Sequence, residues 1–97
     1  MENKYIIRAK VKSVYIHGER WDTETIGTDM RSMYPCFVYG VGSPDAPISY
    51  FETKEKAKAW WEDNKKYVYT VTGKKNIDLT TLGIYQIKFD KIESLEE

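Results

Sequence analysis

A chain of 97 residues makes one domain that buries roughly two-thirds of its unfolded surface, with no room for a second core. Fifteen basic and fifteen acidic residues cancel, which excludes a global positive field for nucleic acid and leaves any electrostatic partner choice to local patches. The single cysteine, Cys36, excludes an internal disulfide and a multi-cysteine zinc site, and its expected place is a small buried strand position.

The opening MENKYIIRAK carries no apolar signal region, and no apolar run approaches the ~18 residues of a membrane span, so the expectation is a cytoplasmic protein that crosses no membrane. From residue 4, KYIIRAKVKSVYI alternates with period two. Tyr5, Ile7, Ala9, Val11, Ser13 and Tyr15 fall on one face, and Ile6, Arg8, Lys10, Lys12, Val14 and Ile16 on the other. A long strand is predicted. Gly18 within HGE then permits a turn, and RWDTETI suits a returning strand. A three-residue loop of His17, Gly18 and Glu19 would set Lys12 opposite Glu24 and Tyr15 opposite Trp21, and charge pairing favours that register.

GTDMRSMYP, residues 27–35, shows no clean pattern and reads as a short turn or mobile loop, with Ile26, Met30 and Met33 at helical spacing. CFVYGV reads as a strand, GSPDAP as a turn and ISYFE as the returning strand, a second hairpin. Thr53 can cap a helix over about 54–66, with Glu55 in its first turn and Lys65 and Lys66 in its last. At 100° per residue Ala57 centres the apolar stripe, with Trp61 about 40° to one side and Trp60 about 60° to the other. Both indoles are expected to flank the alanine against a sheet, and any indole edge left for a partner is Trp60's. YVYTVT then reads as a strand, GKKNIDLTTLG as a turn and irregular connection, and IYQIKFDKI as a last strand with Tyr85, Ile87 and Phe89 on one face. The acidic end, residues 93–97, should fray. The predicted architecture is a single α+β domain over 1–97, an antiparallel sheet of five or six strands with one main helix packed on a face.

No chemical motif completes itself. HGE lacks the downstream cysteine pair of a zinc deaminase. The Gly40-x-Gly42 pair runs into Ser43-Pro44 and not into a helix, TGKK lacks the upstream glycine of a phosphate loop, and no G-x-S-x-G occurs. His17 fits a turn residue. Neither catalysis nor a cofactor is expected.

Eight tyrosines, three tryptophans and three phenylalanines make the chain 14% aromatic. Such rings suit recognition surfaces, and they also pack well along strands. KYIIRAKV, followed by YFETKEKAKAWW as a strand running into a helix, resembles the small accessory proteins of bacteriophages and mobile elements of Gram-positive bacteria, over the first two-thirds of the chain. The resemblance implies binding to a host or defence protein, or assistance in DNA transactions, and carries no functional residue with it. Two readings stand. One is a non-catalytic protein-binding module, an inhibitor or adaptor, with Trp21, Met30, Met33, Tyr34, Tyr39 and Trp60 as contacts and pairing with a second copy through a sheet edge allowed. The other is a single-stranded nucleic-acid binder using Arg8, Lys10 and Lys12 with nearby rings. In the charge-paired register Glu24 engages Lys12, leaving two free charges, which supply little affinity at physiological salt.

Overall fold

In a computed structural model that describes residues 4–40, 42–86 and 91–95, the alternating first segment forms β1 (Tyr5–Tyr15) and its return forms β2 (Gly18–Asp29). β3 (Tyr34–Tyr39) follows, then two-residue strands β4 (Gly42–Ser43) and β5 (Ala46–Pro47), helix α1 (Lys54–Val68), β6 (Ile77–Gln86) and β7 (Lys91–Ser94). The main sheet has five antiparallel strands in the order β3-β2-β1-β6-β7, and α1 packs on one face, so the α+β expectation holds.

Thr53 caps α1 as its extended backbone allows: its hydroxyl accepts from Lys56 N at 3.0 Å. Ala57 and Trp61 are completely buried, in one cluster with Ile7, Ala9, Ile26, Leu82 and Ile84. Trp60, half-buried, lies 5.7 Å from the Phe51 ring. The adjacent tryptophans are therefore both structural, one in the core and one sealing its edge. The odd-numbered side of β1 faces the helix; the Arg8 side, which pairs across to Thr25 and on to Val38, is the opposite face.

Several expectations need correction. β1 and β2 join through a two-residue turn of Ile16 and His17, with Tyr15 opposite Gly18, Lys12 opposite Trp21 and Glu24 opposite Ala9. Neither turn residue takes positive φ; Gly18 does, at 142°. The special backbone conformation thus fixes the register, and Lys12 meets Glu19 at 3.7 Å instead of Glu24. YVYTVT is not a strand. α1 runs on to Val68, a π turn covers Tyr69–Gly73 and ends where Gly73 takes φ 89°, and a 3-10 turn covers Lys74–Asn76. Burial overrides the local β preference of these residues: Val68 enters the core, and Tyr69 packs edge-on against Trp61 at 5.6 Å. Most of the irregular connection expected after it, from Ile77, is the first part of β6.

The stretch 27–35 is neither a free loop nor a helix. Gly27–Asp29 complete β2, residues 30–33 turn with Met33 at φ 62°, and Tyr34 and Pro35 open β3. Asp29 Oδ1 accepts from Arg31 N at 2.9 Å and ties the turn down. ISYFE does not return beside β3. β1 and β2 diverge beyond Arg8 and Thr25, and residues 45–51 take up hydrogen bonds from both: Met30 N donates to Asp45 O, Ser49 N to Ile26 O, and Tyr5 and Phe51 exchange two bonds of 2.8 Å. At the C-terminal end, β7 and Leu95 are docked, with Leu95 N donating to Leu82 O and its side chain against the core, so residues 93–95 are not frayed. The expected placements of Ile87 and Phe89, and the fraying of Glu96 and Glu97, fall outside the described residues.

Candidate functional site

β1 pairs with β6 only as far as Val11, and β2 pairs with β3 only from Glu24 onward. Among the described residues, residues 12–21 therefore project from the sheet as a two-stranded ribbon. Its rings are braced by cations: Lys12 Nζ lies 6.0 Å from the Trp21 centroid, and the Arg20 guanidinium 5.4 Å from that of Tyr15 while donating to Asp22 Oδ2 at 3.0 Å. Its apolar side chains have no cover. Ile16 is 97% exposed, Val14 73% and Trp21 44%, and Val14 and Trp21 share the face that carries Lys12.

That face continues into the sheet as a row of cations. Arg8, Lys10 and Lys12 alternate along β1 on the side away from α1. Where β1 passes from Arg8 (opposite Gly83) to Lys10 (opposite Asp78), the single residue Ala9 faces four residues of β6, 79–82. This wide bulge opens a cleft of about 380 Å³ lined by Arg8, Lys10, Thr23, Thr81, Tyr85 and Lys91. Thr81 closes the ladder in place of a backbone group: its hydroxyl accepts from Lys10 N at 2.8 Å and donates to Asp78 O at 2.7 Å. The Tyr85 hydroxyl donates to Thr81 O at 2.8 Å, and burial pushes its pKa up, with the Arg8 charge partly opposing, so the phenol stays protonated.

The six residues expected as protein contacts do not form one surface. Trp21 stands on the ribbon, whereas Met30, Met33 and Tyr34 sit at the far end of β2 around the β2–β3 turn. Tyr34 is 5.1 Å from Tyr67, Tyr39 ends β3 on the helix side, and Trp60 belongs to the core's edge. By contrast Arg8, Lys10 and Lys12 do share a face. Sequence reasoning missed Val14 and Ile16, although their place on an otherwise basic strand face is itself a signal. It also missed Lys91, which only the β6–β7 pairing brings near Arg8.

Cys36 is half-buried in β3, and burial, then the charges of Asp29 and Glu24, push its thiol up, away from a reactive thiolate. Burial, then the charge of Asp22, raises the Glu24 carboxyl. A folded pKa above the unfolded one means that ionisation costs stability as pH rises through the window between them. Glu24→Gln is therefore expected to match or exceed the wild-type stability at pH 7, with the difference vanishing in acid where Glu24 is protonated. Urea unfolding at both pH values checks this, and a variant less stable at pH 7 contradicts it.

Among the described residues, no group of three or more histidine, cysteine, aspartate or glutamate side chains is placed to hold a metal ion, and no helix is long and apolar enough to cross a membrane. Comparison of the chain with protein-family models, with curated proteins and with solved structures finds no match.

Proposed function

We propose that the chain is a non-catalytic binding protein that engages another protein through the β1–β2 ribbon. The observation that carries this reading is the exposure of Ile16, Val14 and Trp21 on a projecting hairpin. Apolar side chains clustered at such a tip gain nothing from the fold and are covered only when a partner receives them. The edges of a ribbon also offer main-chain groups for strand addition, and Lys12 and Arg20 at its base supply charge for orienting an encounter. The resemblance to phage and mobile-element accessory proteins points to a bacterial host or defence protein as the partner, acted on as an inhibitor or adaptor.

Because the ribbon lies outside the core, the variant Val14→Ser/Ile16→Ser is expected to unfold at the same urea concentration as the wild type. It should nevertheless lose at least about tenfold in affinity for the partner, the loss of two buried aliphatic contacts at an interface. Titration calorimetry against the partner recovered with the wild type reads this directly, and unchanged affinity removes the ribbon as the binding surface.

A further inference from the structure

The cleft at the β6 bulge has a composition that the ribbon does not explain. In a chain with equal numbers of acidic and basic groups, six described cations find a carboxylate, Lys12 with Glu19 among them. Lys54 and Lys58 meet Glu93, Lys56 meets Glu52, Lys65 meets Glu62 and Arg20 meets Asp22. Arg8, Lys10 and Lys91, brought to one cleft from β1 and β7, have no carboxylate within salt-bridge distance among the described residues. Glu93, the acidic residue of β7, is drawn to the helix side by Lys58 at 2.6 Å and Lys54 at 3.7 Å, so its charge does not offset theirs.

Two of the three cations are also held in place. Arg8 Nε donates to Thr25 Oγ1 at 3.4 Å, and the guanidinium lies 5.5 Å from the Tyr85 centroid, a ring fixed by its own bond to Thr81 O. Lys91 Nζ donates to Thr80 O at 2.9 Å, and an ammonium so tethered keeps two further donors. Asp78 stands opposite Lys10, but its Oδ1 accepts from Thr80 N at 3.1 Å and from the Thr80 hydroxyl at 2.6 Å, so it ion-pairs with none of the three. Like charges gathered so repel one another, a cost that a bound anion relieves. The volume of about 380 Å³ lies in the ~300–1,000 Å³ range of small-molecule sites.

We infer that the cleft lined by Arg8, Lys10 and Lys91 binds a phosphate group, presented either by a free nucleotide or by the backbone of single-stranded nucleic acid. Planar guanidinium and ammonium donors suit phosphate oxygens, and the row continues to Lys12 and Trp21, a cation and a ring on the path a strand would follow. The site uses none of the ribbon's apolar tip, so its failure and the failure of the protein-binding reading are separate results.

The test is an amide-resolved NMR titration of the intact chain with three probes: inorganic phosphate, adenosine monophosphate and a 12-nucleotide single-stranded DNA, at about 50 mM salt. Shifts concentrated at Arg8, Lys10, Thr81 and Lys91 are expected. Lys10→Glu/Lys91→Glu, at two exposed positions, should keep its circular dichroism spectrum and weaken binding about tenfold or more. Lys66→Glu/Lys75→Glu, the same charge change at exposed sites elsewhere, should leave affinity within about twofold. If the strand is the source, the oligonucleotide binds most tightly and log affinity falls with log salt at a slope of about −2, some −0.7 for each of three contacts. If the nucleotide is the source, adenosine monophosphate binds as tightly as the oligonucleotide. Absence of shifts at the cleft with all three probes, or equal weakening by the two double variants, overturns the inference.

Discussion

Replacement of Trp61 by alanine is expected to remove about 3–5 kcal/mol of stability, the cost of deleting a fully buried large aromatic. Trp61 has no exposed surface, packs in the cluster that joins α1 to β1, β2 and β6, and meets Tyr69 edge-on at 5.6 Å. A cavity at that point cannot collapse easily, because the sheet is hydrogen-bonded on one side and the helix is pinned at Ala57 on the other. Domains of this size hold about 5–15 kcal/mol in total, so Trp61→Ala should be partly unfolded or close to it at 37 °C. Trp60→Ala, at a half-buried position against Phe51, should cost clearly less. Urea unfolding of both variants gives the comparison, and equal losses would mean that the two indoles are not divided between core and edge as described.

Gly27→Ala is the second large effect. The position is buried within β2 at the point where residues 45–51 approach it, and an added Cβ would meet the Pro47 carbonyl oxygen and lie 2.7 Å from Val38 Cγ2. Its φ is not positive, so the objection is purely steric. Val38 can turn aside, but the carbonyl belongs to main chain held by the bridge of Gly27 with Ile48 and by the Met30 to Asp45 bond. Overpacking of this kind costs about 1–3 kcal/mol, a fall in melting temperature of roughly 4–8 °C per kcal/mol for a small domain. A melting temperature within about 2 °C of the wild type would show that the segment does not press on β2.

The parts of the fold legible in the sequence were those with strong local signals. Period-two alternation marked β1, Thr53 with Glu55 marked the start of α1, and the 100° spacing placed Ala57 between two indoles. The β1–β2 register was not legible from charge, because a surface ion pair worth about 0–1 kcal/mol is too weak to choose it; the positive φ of Gly18 chooses instead. YVYTVT misleads because its β-branched and aromatic residues favour a strand until Val68 and Tyr69 are drawn into the core. The wide bulge of β6 depends on what lies opposite, and no local pattern announces that Thr81 will substitute for a ladder partner of Lys10. For the same reason the cation row was visible at Arg8, Lys10 and Lys12, while Lys91 joined it only through tertiary pairing.

Reception of the ribbon by a protein partner is read by site-specific photo-crosslinking in bacterial lysate after nuclease treatment. The two probes are Ile16→p-benzoylphenylalanine at the ribbon's tip and Lys66→p-benzoylphenylalanine on the exposed side of α1. One defined protein adduct from position 16, absent from position 66 and competed away by unlabelled wild type but not by Val14→Ser/Ile16→Ser, is the predicted result. No adduct from position 16, or the same adducts from both positions, would contradict it.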